Sequence, residues 1–277
     1  MKMHIFHTGK VCVAPSLPFG GENCSLLKAS GLLTPHKERL WLPVSCYLIE
    51  HSQGNILVDT GWHREISPQG IFDKQAQIHS LGSRILYHVN QGIVEPGETI
   101  TEQLATLGIV PNQLDYVLLT HLDCDHANGL QQVADAKHIL VAEDELRFAN
   151  HTPVRYQKRW WQGVSMNTFT WNGSDGPAEN SYDLFGDESI QLINIPGHSD
   201  GLFAVKVRGE NGKFVLLTSD GAYATKSWEQ LILPGIAANR DLQRASLTWI
   251  QKQSQLPDCY MAIANHDPEI QPQIIDF

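Results

Sequence analysis

The sequence has no run approaching the 18 or so apolar residues that a membrane-crossing helix needs. It is also short of positive charge. Twenty Lys and Arg stand against 30 Asp and Glu, for a formal net charge of -10. An acidic surface of that kind argues against nucleic acid and anionic membrane as partners, and leaves a small-molecule substrate as the expectation. Cysteine is sparse and irregularly placed: Cys12, Cys24, Cys46, Cys124 and Cys259. An odd number with no CxxC pair implies neither a disulfide framework nor a thiolate zinc site. Reduced thiols are the default, with Cys12, Cys46 and Cys259 in apolar runs that read as core. The N-terminus, Met1-Lys2-Met3-His4-Ile5-Phe6-His7, lacks the apolar region and small-residue cleavage site of a secretory signal, so a cytoplasmic location is expected. No Pro/Ser-rich linker or charge block divides the 277 residues, of which 42% are hydrophobic. One domain with a substantial core over residues 1–277 is expected.

What the chain does have is concentrated in Thr120-His121-Leu122-Asp123-Cys124-Asp125-His126-Ala127-Asn128-Gly129. Ahead of it, Tyr116-Val117-Leu118-Leu119 reads as a buried strand. If the extended conformation continues, alternate side chains point the same way, so His121, Asp123 and Asp125 converge and Cys124 turns aside. His126 comes next, where a short helix should begin. Imidazole together with carboxylate is a ligand set for Zn, Fe or Mn rather than for Ca or Mg.

Elsewhere the chain alternates strands with turns. Residues 2–14 read as a strand broken by a turn at Thr8-Gly9-Lys10. Residues 15–40, rich in Pro and Gly, read as a long functional loop. Leu42–Glu50 and Ile56–Gly61 form an antiparallel hairpin about Ser52-Gln53-Gly54-Asn55. Residues 62–96 show no sustained period and suit lid or wall elements. A helix over 99–107 has Thr99 as N-cap and Gly108 as its stop. His138–Val141 is a strand and Glu143–Ala149 a helix. Residues 151–180, with Arg155, Lys158, Arg159, Trp160 and Trp161 together, read as an amphipathic surface segment in preference to a substrate wall. Strands recur at 192–195, 202–207 and 214–218. A helix spans Leu242 to Ile250, and a last strand runs from Cys259 to Ala264. Two batches of strands, each followed by helix, point to a layered α/β sandwich.

Apolar strands repeatedly end in a metal-capable residue: Asp59, His121, His198, Asp220 and His266. Val58-Asp59-Thr60-Gly61, the cluster from His121 to His126, Pro196-Gly197-His198, Asp220 and His266 resemble the successive motifs of the metallo-β-lactamase fold. Within that superfamily the chain is most similar to the N-acyl-homoserine lactonases. The hairpin of residues 42–61 looks like theirs, and Asp220-Gly221-Ala222-Tyr223 resembles their bridging Asp followed by a catalytic Tyr. The resemblance implies an αββα four-layer sandwich holding two divalent ions, with zinc first and Mn or Fe as alternatives. It puts His121 and His198 on metal one, Asp125, His126 and His266 on metal two, and Asp220 on both. Asp59 would orient a ligand and its loop. The implied reaction opens a lactone or ester by attack of a metal-bridging hydroxide. In it Tyr223 hydrogen-bonds the developing oxyanion and Asp125 carries a proton to the leaving group. A homodimer is one expected assembly.

Asp123 departs from the family pattern His-x-His-x-Asp-His, where the second His is replaced. Either this shorter side chain binds metal one in its own way, or it does not bind. If it binds, the added oxygen donor shifts preference toward Mn or Fe. The alternatives are a carboxylester or phosphodiester hydrolase of the same fold, and a non-catalytic metal-binding protein with a degenerate site.

Overall fold

The structure, a computed structural model, describes residues 1–277. In chain order the strands are β1 (Lys2–Val13), β2 (Leu40–His51), β3 (Gly54–Val58), β4 (Gln91–Ile93), β5 (Leu114–Leu119), β6 (His138–Ala142) and β7 (Asn167–Phe169). They continue with β8 (Ser181–Asp183), β9 (Ile190–Asn194), β10 (Phe203–Arg208), β11 (Phe214–Leu217), β12 (Cys259–Ile263) and β13 (Gln273–Asp276). The α-helices are α1 (Leu26–Ala29), α2 (Lys74–Leu81), α3 (Arg84–Val89), α4 (Ile100–Thr106), α5 (Cys124–Ala127), α6 (Glu143–His151), α7 (Thr225–Glu229) and α8 (Arg240–Ser254).

Two sheets result. The first runs β13-β1-β2-β3-β5-β6-β7 with β4 paired to β1, and the second runs β12-β11-β10-β9-β8. Side-chain alternation explains why they stack. On β2, Val44, Cys46 and Leu48 face a helix-covered core, whereas Tyr47 and Ile49 enter the core between the sheets. On β11, Val215 and Leu217 enter that same middle core, while Phe214 and Leu216 face outward onto Leu247 and Ile250 of α8. Three apolar layers separated by two sheets make the four-layer αββα sandwich expected from the sequence.

The hairpin forms as read, with Tyr47 opposite Val58 and His51 opposite Gly54. The helix at 100–106 carries the full capping box, Thr99 with Glu102. Two expectations change. The turn at Thr8-Gly9-Lys10 is a bulge inside a continuous β1, where the register with β2 shifts between His7 and Lys10. Gly9 has φ +87°, and a Cβ there would meet the Ile93 carbonyl oxygen at 2.2 Å, so only glycine lets β4 pair with β1. The strand ending near Ala264 is not the last, because β13 returns to pair with β1. Residues 62–96 resolve into a 3-10 turn, α2, α3 and β4. No helix is long and apolar enough to cross a membrane.

Candidate metal centre

Strand β5 lies between its parallel neighbours β3 and β6, so Asp59 and Thr120 leave adjacent C-terminal strand ends. From the second sheet, His198 follows β9, Asp220 follows β11 and His266 follows β12. The strand ends that carry the site are therefore drawn from both sheets. The motif also converges by a different local route. Extended strand stops at Leu119, and Asp125 and His126 sit in the single helical turn of α5. Cys124, on the same turn, is buried against the cavity wall and receives the Asn90 amide at 3.5 Å. It is absent from either ligand group.

Two groups of candidate ligands form. One is His121, Asp123, His198 and Asp220, and the other is Asp125, His126 and His266. Asp220 stands between them. Its Oδ1 lies 3.2 Å from His126 Nε2 and 3.1 Å from His266 Nε2. Its Oδ2 lies 3.9 Å from His121 Nε2 and 3.6 Å from His198 Nε2. His266 Nε2 is also 3.5 Å from Asp125 Oδ2.

The surrounding structure aims these nitrogens. His266 Nδ1 donates to the Pro43 carbonyl at 2.8 Å, leaving the Nε2 lone pair toward the cluster. His126 Nδ1 is held by Asp59 Oδ2 at 2.8 Å. Asp59 also accepts from the Thr120 backbone N–H at 2.9 Å, at a positive φ of 58°. The loop after Asp59 is laced to the motif, since Thr60 N–H and Oγ1 both donate to the His126 carbonyl. A Cβ on Gly129 would lie 2.3 Å from the Thr60 carbonyl oxygen, which accounts for glycine in that position.

Burial and the neighbouring His126 push the His121 imidazole down to about 4, so at neutral pH it is the neutral form that a metal ligand must be. Burial pushes the Asp125 carboxyl up. Burial would also raise Asp220, but His266 and His126 reverse this and hold it well below the usual carboxylate range. His121 Nε2, His126 Nε2 and Asp220 Oδ1 are buried and have no hydrogen-bond partner in the protein. Each such group costs roughly 1–3 kcal/mol if left unmet. Converging imidazole and carboxylate atoms of this kind fit divalent metal.

The structure also brings in two residues that sequence reading did not assign to the site. Arg155 leaves the turn after α6 and reaches Asp123 with both arms, Nε to Oδ1 at 2.7 Å and Nη2 to Oδ2 at 2.5 Å. It also donates to the His198 carbonyl at 2.8 Å and lies 2.6 Å from His198 Nε2. Burial would raise the Asp123 carboxyl, but the guanidinium holds it well below its usual range. The reading of residues 151–180 as a surface segment is thus corrected. Tyr156, Trp160 and Trp161 are buried and anchor the segment, and Val154 and Arg155 line the cavity. The second residue is Glu145, fully buried on α6. It accepts from the Leu122 N–H at 3.0 Å and from Ser199 Oγ at 2.5 Å, pinning the loops that carry His121 and His198. Burial pushes its carboxyl up to about 7.

Tyr223 is buried, stacks on His266 at 5.3 Å and meets His198 edge-on at 6.2 Å. Burial and the carboxylates around it raise its phenol well above the usual range, so it stays protonated. A cavity of about 440 Å³ opens over the cluster. Asp125, His198, Asp220, His266 and Tyr223 form its polar end, and Leu17, Leu42, Leu86 and Val89 lie among its apolar walls.

A sandwich of two sheets with histidines and aspartates gathered at the strand ends is the frame of a metal-dependent hydrolase. The chain belongs to the metallo-beta-lactamase superfamily, which it matches over residues 39–220. It is 27% identical to the N-acyl homoserine lactonase AttM of Rhizobium radiobacter over 237 residues, covering 82% of this chain and 83% of that one. It is 29% identical to the N-acyl homoserine lactonase AiiA of Bacillus thuringiensis subsp. kurstaki, covering 71% and 70%. A solved N-acyl homoserine lactone hydrolase with N-hexanoyl-L-homoserine bound at its catalytic metal centre superimposes with TM-score 0.74 at 25% identity, over 97% of this chain and 94% of that one. The expectation of a metal-dependent hydrolase resembling the N-acyl-homoserine lactonases stands on these likenesses. The fold and these neighbours indicate a site for two divalent ions.

Proposed function

We propose that the protein opens the ring of N-acyl-homoserine lactones, and that zinc is the resident metal. The observation that carries this reading is the joining of the ligand cluster to a largely apolar cavity, which suits a small polar ring attached to an acyl chain. His121, His198 and Asp220 would hold one ion, and Asp125, His126, His266 and Asp220 the other. With Asp123 engaged by Arg155, the remaining donors are mostly imidazole, which favours zinc over Mn or Fe. Divalent ions there would supply Lewis acidity and lower the pKa of water near the substrate carbonyl.

The chain's own groups supply the rest. Tyr223, held protonated, donates to the carbonyl oxygen as negative charge builds on it. Asp125, raised by burial, would take a proton from the attacking water and return it to the departing alkoxide oxygen. Asp59 keeps His126 in one tautomer, and Glu145 keeps the two ligand loops in register. The apolar walls exclude water around the acyl chain. The test is ring opening by zinc-replete protein across N-acyl-homoserine lactones of increasing chain length, followed by proton release and chromatography, with simple carboxylesters and phosphodiesters alongside. Turnover of the lactones is expected. Turnover of esters or phosphodiesters alone, or of nothing, overturns the lactone assignment.

A further inference from the structure

The two ligand groups are not equivalent, and the difference lies in residues outside the shared motif pattern. In the second group, the two imidazoles are held only through their far side, and Asp125 only by a weak contact from the Cys124 thiol at 3.8 Å. His126 and His266 are fixed through Nδ1, by Asp59 and by the Pro43 carbonyl, which leaves Nε2 of each facing Asp220. In the first group, two of the four ligand residues are already engaged. Both oxygens of Asp123 accept from Arg155, and His198 Nε2 lies 2.6 Å from Arg155 Nη2, within reach of its N–H. His121 Nε2 and Asp220 remain open there.

Arg155 is built into this position. Its third arm donates to the His198 carbonyl at 2.8 Å. Its guanidinium lies 5.0 Å from the ring centroid of Tyr156, which is itself buried. A bidentate Arg–carboxylate pair with a backbone anchor is among the stronger arrangements of charged groups. Asp123 sits at the N-cap position of α5, where a carboxylate ordinarily caps the helix. It makes no cap bond and turns to Arg155 instead. Charge is consistent with a paired role. The Asp123 carboxylate and the Arg155 guanidinium cancel, so together they add no net charge to the site.

We propose that Asp123 and Arg155 act as a neutral ion pair in place of a metal ligand, so that the two metal positions load unequally: the Asp125–His126–His266–Asp220 position firmly, the His121–His198–Asp220 position weakly and in competition with the Arg155 guanidinium for His198. The inference rests on the metal-dependent reading of the site and deepens it by assigning a loading order and a residue that sets it.

The test is zinc titration of metal-free full-length protein against a chromophoric chelator, with bound metal counted by mass spectrometry. The wild type is expected to bind one zinc per chain tightly and a second roughly 100-fold more weakly, the size of effect that a compromised ligand shell produces. Arg155→Gln frees Asp123 and His198, and should tighten the second site until the two affinities differ by about tenfold or less. Asp123→His combined with Arg155→Gln should do the same by restoring an imidazole. Equal affinities in the wild type overturn the proposal outright, without reliance on any variant, and leave the hydrolase reading intact. Weaker second-site binding in Arg155→Gln also overturns it, because Arg155 would then be holding Asp123 as a ligand. No zinc binding at all overturns both the proposal and the metal-dependent reading.

Discussion

Asp59 takes the ring N–H of His126 at 2.8 Å, and this contact decides which nitrogen of that imidazole faces the cavity. The carboxylate also holds the Thr120 N–H, so one residue at the end of β3 sets both the tautomer and the approach of the neighbouring strand end.

Replacing Asp59 by Asn tests that control. Asn tolerates the positive φ of this position nearly as well as Asp, so the change isolates the carboxylate. The affinity of the tighter zinc should fall roughly 10- to 100-fold, as it does when partners of metal-bound histidines are removed. Chelator competition measures this, and an unchanged affinity would mean that Asp59 serves only the loop.

Glu145 predicts a pH dependence. Its carboxyl is raised from 4.5 to about 7 in the folded protein, chiefly by burial. Below pH 4.5 both states hold the proton and the group is neutral in the balance. As pH rises toward 7 the unfolded chain releases the proton first, so stability falls, by up to roughly 3 kcal/mol. Above 7 the loss is complete. Glu145→Gln should be less stable than wild type at pH 5 and gain on it by pH 8. Urea unfolding at fixed zinc measures the difference, and parallel pH profiles for the two proteins would refute the assignment.

Tyr223→Phe removes the proposed donor and keeps the ring stacked on His266. The expected result is a fall in kcat of about 10- to 100-fold with little change in KM, because the bond strengthens only as charge develops. An equal rise in KM with kcat preserved would place Tyr223 in substrate binding alone.

Val89 lies in the apolar wall of the cavity. Val89→Trp should lower kcat/KM for long acyl chains about tenfold more than for short ones, the usual scale for a misfit in an apolar pocket. A uniform loss across chain lengths would move the acyl chain elsewhere.

Much of this site could be read from the chain because strands announce themselves by apolar runs, and a polar side chain just past a strand end must meet the solvent or a ligand. His121, His198, Asp220 and His266 all come after such runs, and all reach one cluster. Arg155 could not be read that way. It lies in a segment of irregular backbone whose Trp and Lys neighbours give no period, and only the burial of Tyr156 and Trp160 fixes where it points. The signal for it was indirect: an extra carboxylate at 123, inside a buried motif, requires a cation nearby. Glu145 was masked differently. An acid in the first turn of a helix is ordinarily explained by the helix dipole, whereas this one faces inward and ties two loops.

Each candidate metal position draws donors from both sheets: His121 with His198 and Asp220, and Asp125 and His126 with His266. Neither half of the sandwich holds enough of them by itself. An ion bound here is therefore a bolt through the two halves, and its uptake reports their assembly. A chain severed in the exposed Asp187–Glu188 turn, which leaves His121 to His126 on one fragment and His198, Asp220 and His266 on the other, would regain tight zinc only when the two fragments recombine.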